Sequence, residues 1–219
     1  MGKILVVGAR GRAGRAAVEE ARRRGHEVTP VARTTDGSPG GLVARTPGDL
    51  AAGTTDGSPG GLVAGDVTDA ARIAELAAGH DAVIAAVYDG GTDPTEFFPK
   101  AARALVDGLR ETRLIWVGLA SNLPGSDGTP LMDSPGYPQE YRSFFLAHQA
   151  ALDTFAASSL DWVSLAPAGD FNHADPTRTG SYRLGPGDPT ALTSYADFAI
   201  ALLDEYDRAA HHRQAVGVV

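Results

Sequence analysis

The sequence predicts an α/β fold in which a mostly parallel sheet is covered by helices on both faces. Strand-like apolar runs alternate with amphipathic helix patterns along the chain, and short connections join them. The first strand pattern is followed at once by a glycine-rich turn that opens a helix, as in doubly wound, Rossmann-type sheets. The length of 219 residues suits a single domain, 1–219, with a small C-terminal lobe for a substrate.

The predicted strands are short runs rich in β-branched residues that stop at glycine, aspartate or other small residues. Pro30 lies inside the second run and removes one ladder donor, so we expect a bulge or a late start there. The six main strands are predicted at residues 3–8, 27–32, 61–64, 82–87, 114–118 and 162–166. A short strand at 181–184 and an edge strand at 214–218 are further candidates.

The predicted helices follow the strands and carry one apolar face each. Alanines form the packing face of the first helix, and Gly25 ends it. The fourth helix has a stripe at helical spacing that runs from Phe144 through His148 to Phe155. The five helices are predicted at residues 12–24, 69–78, 94–110, 141–157 and 195–204.

One segment of the chain is duplicated. TTDGSPGGLVA occurs at residues 34–44 and again at 54–64 without a mismatch. Two copies are too few for a solenoid, which favours a local duplication. The second copy is followed by GDVTD and is predicted to supply the third strand. Residues 34–60 are therefore predicted to form a surface insertion.

Composition narrows the class of protein. The formal net charge is −8, which argues against nucleic-acid partners, and no apolar run approaches the length of a membrane span. The absence of cysteine excludes disulfides and thiolate catalysis, and the acidic residues lack metal-ligand spacing. We expect a cytoplasmic monomer or homodimer that binds no metal, no nucleic acid and no membrane.

The glycine-rich turn GARGRAG is the strongest functional signal. Gly8 permits a tight exit from the strand, Gly11 lets the backbone approach a pyrophosphate, and Gly14 lets the helix pack closely. Exposed amides at a helix start bind anionic oxygens, which predicts a dinucleotide cofactor. Arg10, Arg12 and Ala13 occupy the remaining positions of this predicted site.

The end of the second strand bears on which dinucleotide binds. NAD-selective sites usually carry an acidic residue there, whereas this chain has Arg33, which suits a 2′-phosphate. We therefore favour NADP(H) over NAD(H), with Arg12 as a second contact. Further contacts are predicted from the ends of the third and fourth strands: Asp66 and Val67 at the adenine, and Ala85, Ala86 and Val87 beside the ribose.

The chain lacks the Tyr-x-x-x-Lys pair of most short-chain dehydrogenases. Tyr137 and Tyr141 are followed four residues later by Tyr141 and Phe145, not by lysine. The remaining candidates for chemistry are Ser121, directly after the fifth strand, and His148, on the inner stripe of the next helix. A histidine can exchange protons near neutral pH. A satisfied, half-buried helix residue is an equally good interpretation of His148.

Several motifs together resemble the NADH-flavin reductase family of NAD(P)-binding proteins. They are GARGRAG, GDVTD, LIWVGLASNL, LDWVSLAPAGDF, TGSYRLG and TSYADFAIALLDE. These proteins are atypical short-chain dehydrogenase-like proteins, grouped with biliverdin-IXβ/flavin reductase and the NmrA-like regulators. The resemblance implies a Rossmann domain, a nicotinamide cofactor, and a serine and histidine that match Ser121 and His148. The glycine turn departs from the family, which commonly has threonine at the positions of Arg10 and Ala13.

We therefore expect an NAD(P)H-dependent oxidoreductase that transfers hydride to a flat conjugated acceptor, such as a quinone or a flavin (FMN or FAD). The nicotinamide is expected to face Ser121, Pro167 and His148. Loops at about 121–140 and 167–192 are expected to form the substrate side. Two alternatives stay open: a non-catalytic dinucleotide sensor of redox state, and a secondary-metabolite tailoring reductase or epimerase.

Overall fold

A computed structural model of the chain describes residues 1–33 and 61–219. Eight strands of this part form one sheet, in the order β3-β2-β1-β4-β5-β6-β10-β8. Its pairs are parallel except for β10 with β8. The strands are β1 Lys3–Val7, β2 Glu27–Ala32, β3 Val63–Ala64, β4 Ala82–Ala85, β5 Arg113–Val117, β6 Trp162–Pro167, β8 Leu184–Gly185 and β10 Gln214–Val218. The order reverses between β1 and β4, which confirms the predicted doubly wound fold.

Helices cover both faces of the sheet. Side chains of β1 alternate between the two sides, so that Leu5 and Val7 join one core cluster and Ile4 and Val6 the other. Helices α2, α3 and α4 pack on the first side, and α1 and α5 on the second. The helices are α1 Arg12–Arg23, α2 Ala70–Ala77, α3 Pro94–Leu109, α4 Arg142–Ala157 and α5 Tyr195–Arg208.

Pro30 produces neither the bulge nor the late start expected from the sequence. β2 begins at Glu27 and pairs with β1 residue by residue. The amide of Glu27 donates to the carbonyl of Gly2, so alternate amides from Glu27 onward face β1. Pro30 faces the other way, where the described residues of β3 pair with Val31 and Ala32. Among the described residues, the missing amide of Pro30 therefore interrupts no hydrogen bond of the ladder.

The C-terminal segments complete the sheet differently from the prediction. β10 is not the edge strand, because β8 pairs antiparallel on its outer side. Between β6 and α5, β7 (Asp170–Phe171) pairs with β9 (Leu192–Thr193) in a separate two-stranded sheet, while β8, which lies between them in the chain, joins the main sheet. We call this segment, residues 168–194, the C-terminal lobe, and its role toward a substrate stays a prediction.

Asp197 ties this lobe to the start of α5. Its carboxylate accepts hydrogen bonds from the amides of Thr179 and Gly180 and from the hydroxyls of Thr179 and Ser194. Burial alone would raise the pKa of Asp197, but these bonds outweigh it and lower the pKa. The motifs TGSYRLG and TSYADF therefore meet in space, and their shared role is structural.

The predicted surface insertion, residues 34–60, lies outside the described residues. Within the described part of the chain, no helix has the length and apolar character that crossing a membrane requires. The division into one domain with substrate-side loops stays a prediction.

Candidate functional site

The first turn is built around contacts that only glycine allows. Gly8 has φ +84°, and a Cβ there would lie 2.0 Å from the carbonyl oxygen of Ala86. A Cβ at Gly14 would lie 2.2 Å from the carbonyl oxygen of Gly8. The glycine-rich turn therefore packs directly against the end of β4. The first helical turn of α1 packs directly against the glycine-rich turn.

The start of α1 is suited to an anion. Gly11 is its N-cap residue, and it provides no side-chain cap. The first turn contains no acidic residue. A helix start of this kind presents backbone amides and the positive end of the helix dipole to a bound anionic group.

The other residues predicted to contact the nucleotide lie around this turn in different settings. Arg12 reaches the C-terminal lobe, where its Nη1 lies 2.8 Å from Nδ1 of His173. The carboxylate of Asp66 accepts hydrogen bonds from the amide and the hydroxyl of Thr68, two residues along the chain. Val67 is only 4% exposed and packs in the core, which leaves little of it for a nucleotide ring. Ala85 is fully buried. The remaining four residues are partly exposed: Arg10, Ala13, Ala86 and Val87.

Arg33 is held by a carboxylate that the sequence did not single out. Its guanidinium pairs with Asp89, which follows β4 and is 6% exposed. Asp89 also accepts the amide of Gly91 at 2.9 Å and the hydroxyl of Thr92 at 2.7 Å. Burial alone would raise the pKa of Asp89, but these bonds and the charge of Arg33 lower it. The ion pair fixes Arg33 at the carboxyl end of β2.

A cavity of about 450 Å³ opens beyond the carboxyl ends of β5 and β6. It brings together Ser121, Tyr137 and Pro167, three of the residues predicted to surround the reaction. We call it the acceptor cavity. Its further lining includes aromatic rings, prolines and one carboxylate, among them Phe145, Phe171, Pro135, Pro138, Pro189 and Asp170.

Ser121 and Tyr137 are held in defined positions in this cavity. Ser121 is 1% exposed, and its hydroxyl donates to Oδ1 of Asn122 at 3.3 Å. The side-chain amide of Asn122 in turn donates to the carbonyl of Phe145 and to Oε1 of Gln149, both on α4. Burial, together with the nearby charge of Asp170, raises the pKa of Tyr137. Tyr137 therefore keeps its proton at neutral pH.

His148 lies in the aromatic core and not in the lining of the acceptor cavity. It is 4% exposed, and its ring centroid lies 3.8 Å from that of Phe98 and 5.1 Å from that of Phe144. Its Nδ1 is buried with no hydrogen-bond partner among the described residues. Burial lowers the pKa of His148 to about 3, so the ring stays neutral near pH 7. This placement favours the structural interpretation of His148, and the proton-transfer role stays a prediction.

Tyr141 is also separate from the cavity lining. Its side chain is 58% exposed, and its ring centroid lies 6.4 Å from that of Phe145. It is the N-cap residue of α4 but makes no capping hydrogen bond with its side chain. Of the four residues predicted to be catalytic, the structure brings together only Ser121 and Tyr137.

Two carboxylates that the sequence analysis missed stand at the site. Asp89 holds Arg33, and Asp170 lines the acceptor cavity. The signal for Asp89 was available, because D-G-G-T directly after a strand end is a turn that an aspartate side chain commonly stabilises. The position of Asp170 depends on the fold of the C-terminal lobe, and no local pattern marks it.

The turn, the switch in strand order and the cavity define a nucleotide-binding α/β protein. The chain belongs to the NAD(P)H-binding family, which matches residues 8–206. It is 33% identical over 231 aligned residues to the uncharacterized protein YwnB of Bacillus subtilis (strain 168), covering 99% of this chain and 98% of that protein. The family resemblance predicted from the motifs is confirmed.

Solved structures show the same architecture. A protein from Streptococcus pneumoniae TIGR4, named a "putative NADH-flavin reductase", is 28% identical, with a TM-score of 0.80 and coverage of 100% of this chain and 99% of that one. A "putative epimerase" from Bacteroides thetaiotaomicron is 28% identical, with a TM-score of 0.77 and coverage of 99% and 96%. The chain is similar to both along nearly its whole length.

Proposed function

We propose that this protein is an NAD(P)H-dependent oxidoreductase that transfers hydride to a flat conjugated acceptor. The observation that carries the proposal is the position of the acceptor cavity. It lies at the carboxyl ends of β5 and β6, the edge of the sheet where the glycine turn also stands. Ligands of doubly wound sheets bind at this edge. The likeness to the Streptococcus pneumoniae protein named for NADH-flavin reduction supports the type of acceptor.

The described residues fit the phosphates of a dinucleotide. A side chain at Gly8 would clash with the carbonyl of Ala86 and one at Gly14 with the carbonyl of Gly8, so the turn keeps its shape only with glycine at both positions. The start of α1 offers amides to a pyrophosphate. Arg33, held by Asp89, is the residue we assign to a 2′-phosphate, and we favour NADPH over NADH on that ground. When bound, the cofactor supplies the hydride.

The protein's own contribution to the reaction is position and the exclusion of water. Tyr137, Phe145 and Phe171 offer ring surfaces to a flat acceptor in the cavity. Ser121 offers a fixed hydroxyl to a carbonyl or ring nitrogen of the acceptor. Conjugated rings accept hydride readily, which is compatible with the absence of a Tyr–Lys pair.

The test is a cofactor titration followed by a turnover assay on the whole chain. We expect calorimetric binding of NADPH that is tighter than that of NADH, and NADPH oxidation in the presence of flavins or quinones. Arg33→Ala should weaken NADPH binding by about tenfold, since a charge-assisted bond contributes roughly 1.5 kcal/mol, and leave NADH binding unchanged. Arg103→Ala, an exposed arginine on α3, is the control. Failure to oxidise NADPH with any acceptor contradicts the proposal.

One observation favours a second candidate, a dinucleotide sensor without turnover. The described residues that line the acceptor cavity include no histidine or lysine, and the buried His148 stays neutral. Such a site is also compatible with binding alone. A sensor should bind NADPH tightly and oxidise none of it with any acceptor. A tailoring reductase or epimerase should act on an aliphatic carbonyl or carbinol and leave flavins and quinones untouched.

A further inference from the structure

The acceptor cavity has an unusual combination of aromatic surface and charge. Three rings line it, from Tyr137, Phe145 and Phe171. Asp170 is the one formally charged residue among the described residues that line it. Aromatic faces attract cations through their quadrupoles, and a carboxylate attracts them by Coulomb's law.

The carboxylate of Asp170 is not neutralised within the described structure. Its Oδ1 accepts the amide of Phe171 at 2.7 Å, and this is the one hydrogen bond of that side chain in the described residues. No arginine, lysine or histidine of the described chain forms an ion pair with it. Its charge reaches into the cavity, because it acts on the hydroxyl of Tyr137. The cavity thus has negative charge and no internal counterion.

We propose that the acceptor is a flat organic cation, such as a conjugated iminium, whose positive charge lies beside Asp170. This inference rests on the proposed oxidoreductase function and specifies its substrate class. An acceptor with an anionic substituent in the cavity would be repelled by the same carboxylate. The proposal therefore favours iminium and aromatic cations over carboxylated or phosphorylated rings.

The chemistry of a cationic acceptor suits this site because it needs no proton. Hydride leaves C4 of the dihydronicotinamide with both electrons of the breaking C–H bond and forms a new C–H bond at the iminium carbon. The C=N π electrons become the nitrogen lone pair, so the cation becomes a neutral amine and the cofactor carries the positive charge. A general acid has no role in this step, in agreement with the neutral, buried His148 and the retained proton of Tyr137.

The test compares three acceptors of different charge on the whole protein with NADPH. An N-methylated dihydroisoquinolinium is the cation, naphthoquinone is neutral, and naphthoquinone sulfonate is the anion. We expect kcat/KM to be highest for the cation and up to about fivefold lower for the sulfonate than for its parent quinone, as expected for one unit charge near an exposed carboxylate. Rates without protein are subtracted for each acceptor.

Asp170→Asn isolates the charge, since asparagine keeps an oxygen for the Phe171 amide. We expect it to lower kcat/KM for the iminium by about fivefold, raise it by a similar factor for the sulfonate, and leave naphthoquinone within about twofold. Asp107→Asn removes an exposed carboxylate on α3 that is not in the cavity lining, and it should change none of the three. In the native protein, added salt should reduce the difference between cation and anion.

The outcomes separate this inference from the function on which it rests. If naphthoquinone and its sulfonate are reduced equally well, and salt and Asp170→Asn leave the ratios unchanged, the cation preference is wrong and the oxidoreductase stands. If no acceptor of any charge oxidises NADPH, both the cation preference and the oxidoreductase function are wrong. If Asp170→Asn does not fold, the salt dependence of the native protein decides.

Discussion

The glycine turn and the acceptor cavity lie at the same edge of the sheet but are built in opposite ways. In the turn, seven consecutive residues shape the backbone, and the contacts that matter are those of Gly8 and Gly14 with main-chain oxygens. In the cavity, the described lining residues come from five separate segments: the residues after β5, the loop before α4, α4 itself, the end of β6 with β7, and Pro189 before β9. The glycine turn is formed by backbone atoms, whereas the acceptor cavity is formed by side chains.

Because of this difference, we expect the two sites to respond differently to mutation. A turn that depends on missing Cβ atoms fails when one is added, whatever the chemistry of the new side chain. A cavity assembled from side chains changes gradually, since each contributes a ring face, a hydroxyl or a charge. We therefore expect large, general losses from changes in the turn and smaller, acceptor-dependent changes in the cavity.

The largest effect should come from Gly8→Ala. The added Cβ combines a positive φ with a clash against the carbonyl of Ala86 at the end of β4, so the turn must move. A displacement of about 1 Å at a binding site can cost roughly 100-fold. We expect NADPH affinity, measured by calorimetry, to fall by at least about that factor, together with a lower melting temperature.

Gly25→Ala is the matched control for this change. Gly25 has φ +81°, close to that of Gly8, but a Cβ there meets nothing within 4 Å. It should cost about 1 kcal/mol of stability from the backbone conformation and leave NADPH affinity unchanged. Equal loss of affinity in the two variants would show that backbone strain, not the contact with β4, governs the site.

The fold was largely predictable because its signals are local. Strand runs, alanine faces and the glycine turn each lie within a short window, and the structure has all six predicted main strands and all five helices within a few residues. Pro30 was misjudged because its cost depends on which neighbour its missing amide faces. The direction of this amide is set by the order of strands in the sheet, and a short stretch of sequence does not show it.

The site was predictable only where backbone makes it. The stripe that placed His148 on the inner side of α4 was correct, but this stripe packs in the core, and α4 lines the cavity through Phe145, which lies outside the stripe. Burial beside Phe98, and not helical spacing, decides that His148 belongs to the core. Asp170 was not predicted because a single acidic residue shows no sequence periodicity, and the residues near it in space come from distant parts of the chain.

The aromatic core around His148 should give a smaller effect, which depends on pH. The pKa of His148 is about 3 in the folded protein, below its unfolded value of about 6.5, so the unfolded state binds the extra proton between these values. The stability from the neutral ring is complete above pH 6.5 and is lost as the pH falls toward 3. At pH 5 this loss is about 2 kcal/mol.

His148→Leu should remove this dependence. Urea unfolding at pH 7 and pH 5 should show that native protein loses about 2 kcal/mol more than the variant. His212→Leu, a change at an exposed histidine, should retain the native loss. NADPH oxidation should survive in His148→Leu if the core placement is correct. A fall of 100-fold or more in turnover with unchanged binding would return His148 to the catalytic site.

The smallest effect should come from Tyr137→Phe, which keeps the ring in the cavity and removes only its hydroxyl. Burial and the charge of Asp170 hold the proton on this hydroxyl, and hydride transfer to a cationic acceptor needs none. We expect turnover of an iminium acceptor to change by less than about threefold, with the same pH profile, whereas loss of a general acid typically costs about 10² to 10⁴. Tyr141→Phe, at an exposed ring outside the cavity lining, is the control. A large loss confined to Tyr137→Phe, with a lost alkaline limb in the pH profile, would mean that the acceptor takes a proton from the cavity after all.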